Sequence, residues 1–213
     1  SLSATDFITD VLIKKIQAKH LFIGYDHRFG HSREGNIELL KKFAIQNHFR
    51  LMEISAVEIN EINVSSTKIR TALIEGNITH ANMFLNGNYC ITGIVQKGDK
   101  LGRTIDFPTA NIGDIDAGKL LPKNGVYAGK VSFNGMTYDA VFNLGTRPTV
   151  NANIIPPQLE AHLLNFSGDL YDEQLKIVLL HRLRDEKKFG SILELKNQIK
   201  QDESFARTLL RSN

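Results

Sequence analysis

Asn124-Gly125-Val126-Tyr127-Ala128-Gly129-Lys130-Val131-Ser132-Phe133, then Asn134-Gly135, then Met136 through Asn143, reads as two strands joined by a tight turn. An Asn-Gly pair suits a type I′ hairpin turn, because both central residues need positive φ and these two residues tolerate it. Outward from this hairpin the same short β-type runs recur. Tyr89 to Gln96 precedes it, and Leu159 to Asn165 and Leu175 to Leu183 follow, with Gly168-Asp169 as a turn between the last two. Short strands without intervening helices predict an antiparallel barrel, which removes exposed sheet edges. Lys187 to Leu210 then predicts a helix, with Ile192, Leu195, Ile199, Ala206 and Leu209 packing on the barrel.

The chain ahead of Tyr89 has a different pattern. Ser3 to Asp6 caps a predicted helix whose apolar stripe is Phe7, Ile8, Val11, Leu12 and Ile16. His20 to Gly24 reads as a buried strand, Arg33 to Asn47 as a helix and Arg50 to Ile54 as a second strand. Alternating helices and strands predict a parallel sheet, in which ligands sit beyond the carboxyl ends of the strands. Gly24-Tyr25-Asp26-His27-Arg28-Phe29-Gly30 lies at such an end. Val64-Ser65-Ser66-Thr67-Lys68-Ile69-Arg70 opens a helix running to Gly76, and Ile78 to Leu85 forms another. A helix N-terminus with hydroxyls and two cations suits phosphate, although a plain capping box explains the same residues. Asn86-Gly87-Asn88 carries turn chemistry, so two domains are expected, residues 1–87 and 88–213.

Composition narrows the function classes. A formal charge of +3 over 213 residues is too small to require a nucleic-acid partner. The single cysteine, Cys90, excludes an intrachain disulfide and fits a reducing cytoplasm. No apolar run approaches the length of a membrane span, and no signal peptide is visible. Oligomeric state is not legible.

The chemistry concentrates in Gly93 to Asn111, GIVQKGDKLGRTIDFPTAN. Gly93, Gly98 and Gly102 allow close backbone approach to a ligand, and Lys97, Lys100 and Arg103 add positive charge for phosphate. Thr109 and Asn111 share one face if the segment is extended, and their oxygens suit a hard cation such as Mg2+. A hairpin with a solvated basic tip is the plain structural alternative. In Leu159 to Leu164, alternation puts Glu160, His162 and Leu164 on one face and Leu159, Ala161 and Leu163 on the other. Glu160 therefore lies on a solvent face or meets a polar site, because an unpartnered buried carboxylate is costly.

The glycine loop leading into Pro108-Thr109-Ala110-Asn111 closely resembles the ATP and Mg2+ site of riboflavin kinases. The resemblance continues through Asn143-Leu144-Gly145-Thr146-Arg147-Pro148-Thr149, through Leu159 to Phe166, and through Arg182 to Phe189. It implies a six-stranded Greek-key barrel that transfers the γ-phosphoryl group of ATP to the ribityl 5′-hydroxyl of riboflavin, giving FMN. It implies Glu160 as general base, Thr109 and Asn111 as Mg2+ ligands, and Gly93, Gly98, Lys100, Gly102 and Arg103 as the ATP loop. Asn143, Arg147, Arg184 and Phe189 are implied flavin contacts. Arg184 with its neighbours also reads as a local salt bridge, and Phe189 as a helix-start anchor. Leu101 stands where many relatives carry a basic residue.

The first domain resembles part of a bacterial FAD synthetase, a nucleotidyltransferase-type α/β fold. Asp26, Arg28 and Phe29 match one of its motifs, with Tyr25 and His27 as departures, and Ser65, Ser66, Thr67 and Arg70 match another. The His-x-Gly-His motif of these adenylyltransferases does not occur in the sequence. The domain therefore reads as beginning part-way, without its first strand and nucleotide-binding turn. The expectation is riboflavin kinase activity, with FMN adenylylation left to a longer parent. A non-catalytic flavin-binding barrel is the alternative from another class.

Overall fold

The computed structural model describes residues 2–55, 58–59, 62–98, 102, 105–146 and 158–211. Contacts divide the chain into two compact units, Ser1–Val64 and Ser65–Asn213.

In the first unit, α1 (Ala4–Asp6) is capped by Ser3, whose hydroxyl accepts from the Asp6 amide at 3.1 Å. It runs on as a π-helix over Phe7–Lys15. The wider π turn, with the Ile16 amide donating to the Val11 carbonyl, takes Ile16 off the expected stripe and leaves it 61% exposed. Ile8 and Leu12 stay on the stripe and are buried. Strands β1 (His20–Gly24) and β2 (Arg50–Ile54) pair in parallel, as the helix–strand alternation predicts. Between them α2 (Ile37–Asn47) starts later than Arg33, because Asn36 is the residue that caps it, its Oδ1 accepting from the Leu39 amide at 2.9 Å. Ile8, Leu12, Ile23, Leu40 and Phe49 form the core of this unit. Two short strands, β3 (Glu58–Ile59) and β4 (Ile62–Asn63), pair with each other.

The second unit opens with α3 (Ser66–Glu75) and α4 (Ile78–Leu85). Gly76 ends α3 at φ 79°, a left-handed conformation that glycine adopts without penalty. Both helices join the barrel core through Ala72, Leu73, Ile78 and Ala81. Asn82 ties α4 down by donating to the Leu179 carbonyl at 2.9 Å and accepting from the Tyr89 amide at 2.7 Å.

The barrel strands are β5 (Tyr89–Gln96), β6 (Ala110–Gly113), β7 (Gly125–Phe133), β8 (Met136–Gly145), β9 (Gln158–Leu163) and β10 (Gln174–Arg184). They close in the order β10-β5-β6-β9-β8-β7. β7, β8 and β9 follow one another and β10 returns beside β7, which is the Greek-key order. The turn between β7 and β8 has φ 47° at Asn134 and φ 76° at Gly135, as its Asn-Gly pair predicts. Tyr127, Phe142, Ile91, Leu144, Leu159, Leu175 and Ile177 fill the interior. α5 (Ile192–Arg211) lies on the outer surface, where Ala206 and Leu210 pack against Ala128 of β7. Its inward stripe is Leu195, Ile199, Asp202, Ala206 and Leu210, so Ile192 is solvent-exposed and Leu210 takes the buried place expected for Leu209.

Candidate active site

Strand pairing brings distant residues into one row. Asn111 of β6 lies opposite Glu160 of β9, and Glu160 lies opposite Asn143 of β8. Asn143 lies opposite Val126 of β7, which lies opposite Arg184 of β10. Residues beside these, such as Leu159, Ala161, Phe142 and Leu144, point into the barrel and are fully buried. The row therefore faces outward, by the two-residue alternation of a strand. A register shift between Arg182 and Arg184 brings Arg184 into it.

This outer face is covered by other parts of the unit. A cavity of ≈ 590 Å³ lies over the row, and its lining includes Thr109, Asn111, Asn143, Glu160 and Arg184. Leu195, Ile199 and Asp202 of α5 form another wall, with Gly102, Ile105, Phe107 and Phe189 completing the rim. Thr109 sits one residue ahead of β6 and donates from Oγ1 to Glu160 Oε2 at 3.3 Å. A second cavity of ≈ 530 Å³ also reaches Thr109 and is lined by Pro108, Ala110, Phe166, Asp169 and Tyr171 among others. Thr109 thus lines both cavities.

The loop glycines have distinct surroundings. A Cβ at Gly98 would lie 2.1 Å from the Asn111 side-chain amide, so glycine there lets the loop backbone rest against Asn111. A Cβ at Gly102 would lie 2.2 Å from the Phe107 carbonyl oxygen. That close approach lets the Gly102 carbonyl accept from the Ile105 and Phe107 amides, folding the segment toward Thr109. Gly93 is buried within β5 against Ile112 and the Gly113 carbonyl, and it is not among the cavity-lining residues. Lys100, Arg103 and Arg147 lie outside the described residues.

Arg184 is held in place by a bidentate ion pair. Its Nε and Nη2 donate to Asp202 at 2.9 and 2.7 Å, and its Nη1 donates to the Asp185 carbonyl at 2.9 Å. Gln198 donates to the same carboxylate at 3.0 Å. Asp202 is 6% exposed, so this pair pins α5 to β10 beneath the cavity wall. The guanidinium also sits 6.0 Å from the centre of the Phe189 ring. Lys196 of α5 bonds Asp106 at 2.8 Å, and that ammonium holds the Asp106 carboxyl below its usual range.

Thr109, Asn111, Asn143, Glu160, Arg184 and Phe189, each singled out in the sequence, all line the larger cavity. Asp202 and Phe107 were not singled out, and His162 was given no role. An acid on the otherwise apolar stripe of α5 was the available signal for Asp202. Asp26, Arg28 and Phe29 fall in the first unit, whereas Ser65, Ser66, Thr67 and Arg70 fall in the second. Within them, Phe29 packs on the first core with its ring 5.8 Å from that of Phe7, and Ser65 caps α3 by accepting from the Lys68 amide.

The donors fit a hard cation that keeps part of its hydration. A hydroxyl, an amide and a carboxylate line the larger cavity together, and Thr109 also lines the smaller one. Among the described residues no cluster of three His, Cys, Asp or Glu is placed to cage a metal.

Comparison with known proteins agrees with this architecture. Residues 85–210 match the riboflavin kinase (flavokinase) family, and residues 1–68 match the FAD synthetase family. The chain is 42% identical over 203 residues to the bifunctional riboflavin kinase/FMN adenylyltransferase of Buchnera aphidicola from Acyrthosiphon pisum, covering 95% of this chain and 64% of that one. It is 41% identical over 208 residues to the protein of the same name in Escherichia coli K12, covering 97% and 65%. The chain therefore spans about two thirds of the length of these relatives. A crystal structure described as a macrolide-efflux protein from Streptococcus pneumoniae aligns with TM-score 0.82 at 32% identity, over 97% of this chain and 66% of that one. Among the described residues no helix is long and apolar enough to cross a membrane.

Proposed function

The chain belongs to the riboflavin kinase family, and from that premise we propose that it transfers the γ-phosphoryl group of ATP to the 5′-hydroxyl of riboflavin, giving FMN and ADP. The observation that carries this reading is the convergence of Thr109, Asn111 and Glu160 on the larger cavity, with Thr109 also lining the smaller one. Phosphoryl transfer needs two substrates in line and a means of balancing charge, and little covalent chemistry from the protein. The larger, partly apolar cavity under α5 takes the flavin, with Asn143, Arg184 and Phe189 beside it. The smaller one takes the nucleotide, with Gly98 beside Asn111 and Gly102 on the rim of the larger cavity near its phosphates.

Glu160 accepts the proton of the ribityl 5′-hydroxyl. The new bond forms between that oxygen and the γ-phosphorus, while the bond from the γ-phosphorus to the bridging oxygen breaks and its electrons leave with ADP. The hydrogen bond from Thr109 fixes the Glu160 carboxylate at the point of attack. Thr109 and Asn111 would hold the Mg2+ that accompanies ATP, and this cation supplies charge neutralisation at the phosphates. On this reading the reaction is cytoplasmic, where ATP is supplied. FMN adenylylation is named for the relatives, and no His-x-Gly-His occurs in this sequence to support assigning it here.

Glu160→Gln tests the assignment. The amide keeps the shape and still accepts a hydrogen bond, yet is a far weaker base. A kcat loss of about 10²–10⁴-fold is expected, with riboflavin affinity by fluorescence titration nearly unchanged. A variant with wild-type kcat would remove Glu160 from the mechanism.

A further inference from the structure

Thr109 stands just outside the sheet. The first cross-strand pair of β6 is Ala110 with Ala161, so the ladder does not hold the Thr109 backbone. Pro108, immediately before it, has no N–H to donate. Two bonds flank Pro108 and Thr109 on the N-terminal side. The Phe107 amide donates to the Gly102 carbonyl at 2.8 Å, and the Pro108 carbonyl meets His162 Nδ1 at 2.8 Å. A carbonyl only accepts, so the imidazole carries its proton on Nδ1 and donates. The Phe107 ring stands edge-on to the same imidazole, with centroids 5.6 Å apart. His162 lies two residues from Glu160 on the same outward face of β9 and lines the same cavity. One strand thus carries both the carboxylate and the side chain that fastens the hydroxyl donating to it.

We infer that His162 is a positioning residue: through Nδ1–H to the Pro108 carbonyl it fixes Thr109 against Glu160 and so preforms the cation and phosphate site. This rests on the proposed kinase reading but adds a residue and a bond to it. A supporting group of this kind typically changes metal affinity or activity by about 10–100-fold when removed.

Two substitutions separate the hydrogen bond from the ring. His162→Phe keeps an aromatic ring beside Phe107 and loses the donor. His162→Asn loses the ring and keeps a side-chain N–H near the place of Nδ1. Mn2+ titrated into each protein with ADP, followed by electron paramagnetic resonance, reads the site without turnover, and the rate of FMN formation reads the chemistry. The expected result for His162→Phe is cation binding weakened about 10–100-fold and a matching rise in the Mg2+ needed for half-maximal rate. His162→Asn should recover most of both. Wild-type cation binding in His162→Phe, or equal impairment in the two variants, would overturn the inference. A wild-type chain that binds Mn2+·ADP yet forms no FMN would instead count against the kinase reading and leave the His162 binding comparison valid.

Discussion

At the residue scale, the site depends on oxygens aligned by strand register rather than on a preformed metal cage. On the proposed reading Thr109 and Asn111 would contribute neutral oxygens, so a cation held there would be completed by water and substrate phosphates. Thr109→Ala and Asn111→Ala are each expected to lower FMN formation by at least about 10–100-fold, the range seen when only supporting groups around a metal are removed. Riboflavin binding should persist in both. Full turnover at saturating Mg2+ in either variant would take that residue out of the cation site. The two-residue spacing of Thr109 and Asn111 was legible because an extended segment puts both on one side, and both line the cavity. The outward direction of Glu160 was legible for the same reason. What covers that face was not, since the cover comes from α5, distant in sequence, and strand alternation carries no information about it.

At the element scale, α5 does more than shield the barrel. The Arg184–Asp202 pair fastens it to β10 at a place where an apolar pair would have served packing alone. Removing one partner of a buried pair leaves the other charge uncompensated. Asp202→Ala is expected to lower stability to urea by about 3 kcal/mol, at the low end for such pairs because Arg184 keeps some solvent contact. The double change Arg184→Met with Asp202→Leu should restore much of this. A single variant within about 0.5 kcal/mol of the wild type would show that the pair carries little of the helix docking. Helix and strand signals were unequal in clarity. The β7–β8 hairpin was readable from Asn134-Gly135 because few residues accept two successive positive φ values. β6 was not, because four residues, two of them polar or glycine, give too short a run for alternation to register. The π-helix was equally hidden, since its apolar residues fit an ordinary helical stripe until Ile16.

At the scale of the whole molecule, the chain combines two compact units whose boundary follows packing at Val64–Ser65. The family matches, residues 1–68 and 85–210, leave most of α3 and α4 between them, and both helices are buried against the barrel. A turn such as Asn86-Gly87-Asn88 marks where a helix ends, whereas a compact unit ends where contacts cease. The measurement that bears most directly on the central claim is chromatographic separation of flavins after incubating the purified chain with riboflavin and ATP, with Mg2+ or with excess EDTA. FMN and ADP in equal amounts, dependent on Mg2+ and without FAD, is the predicted result. Riboflavin that binds to the protein yet is recovered unchanged in the presence of ATP and Mg2+ would contradict it and leave a flavin-binding barrel in place of a kinase.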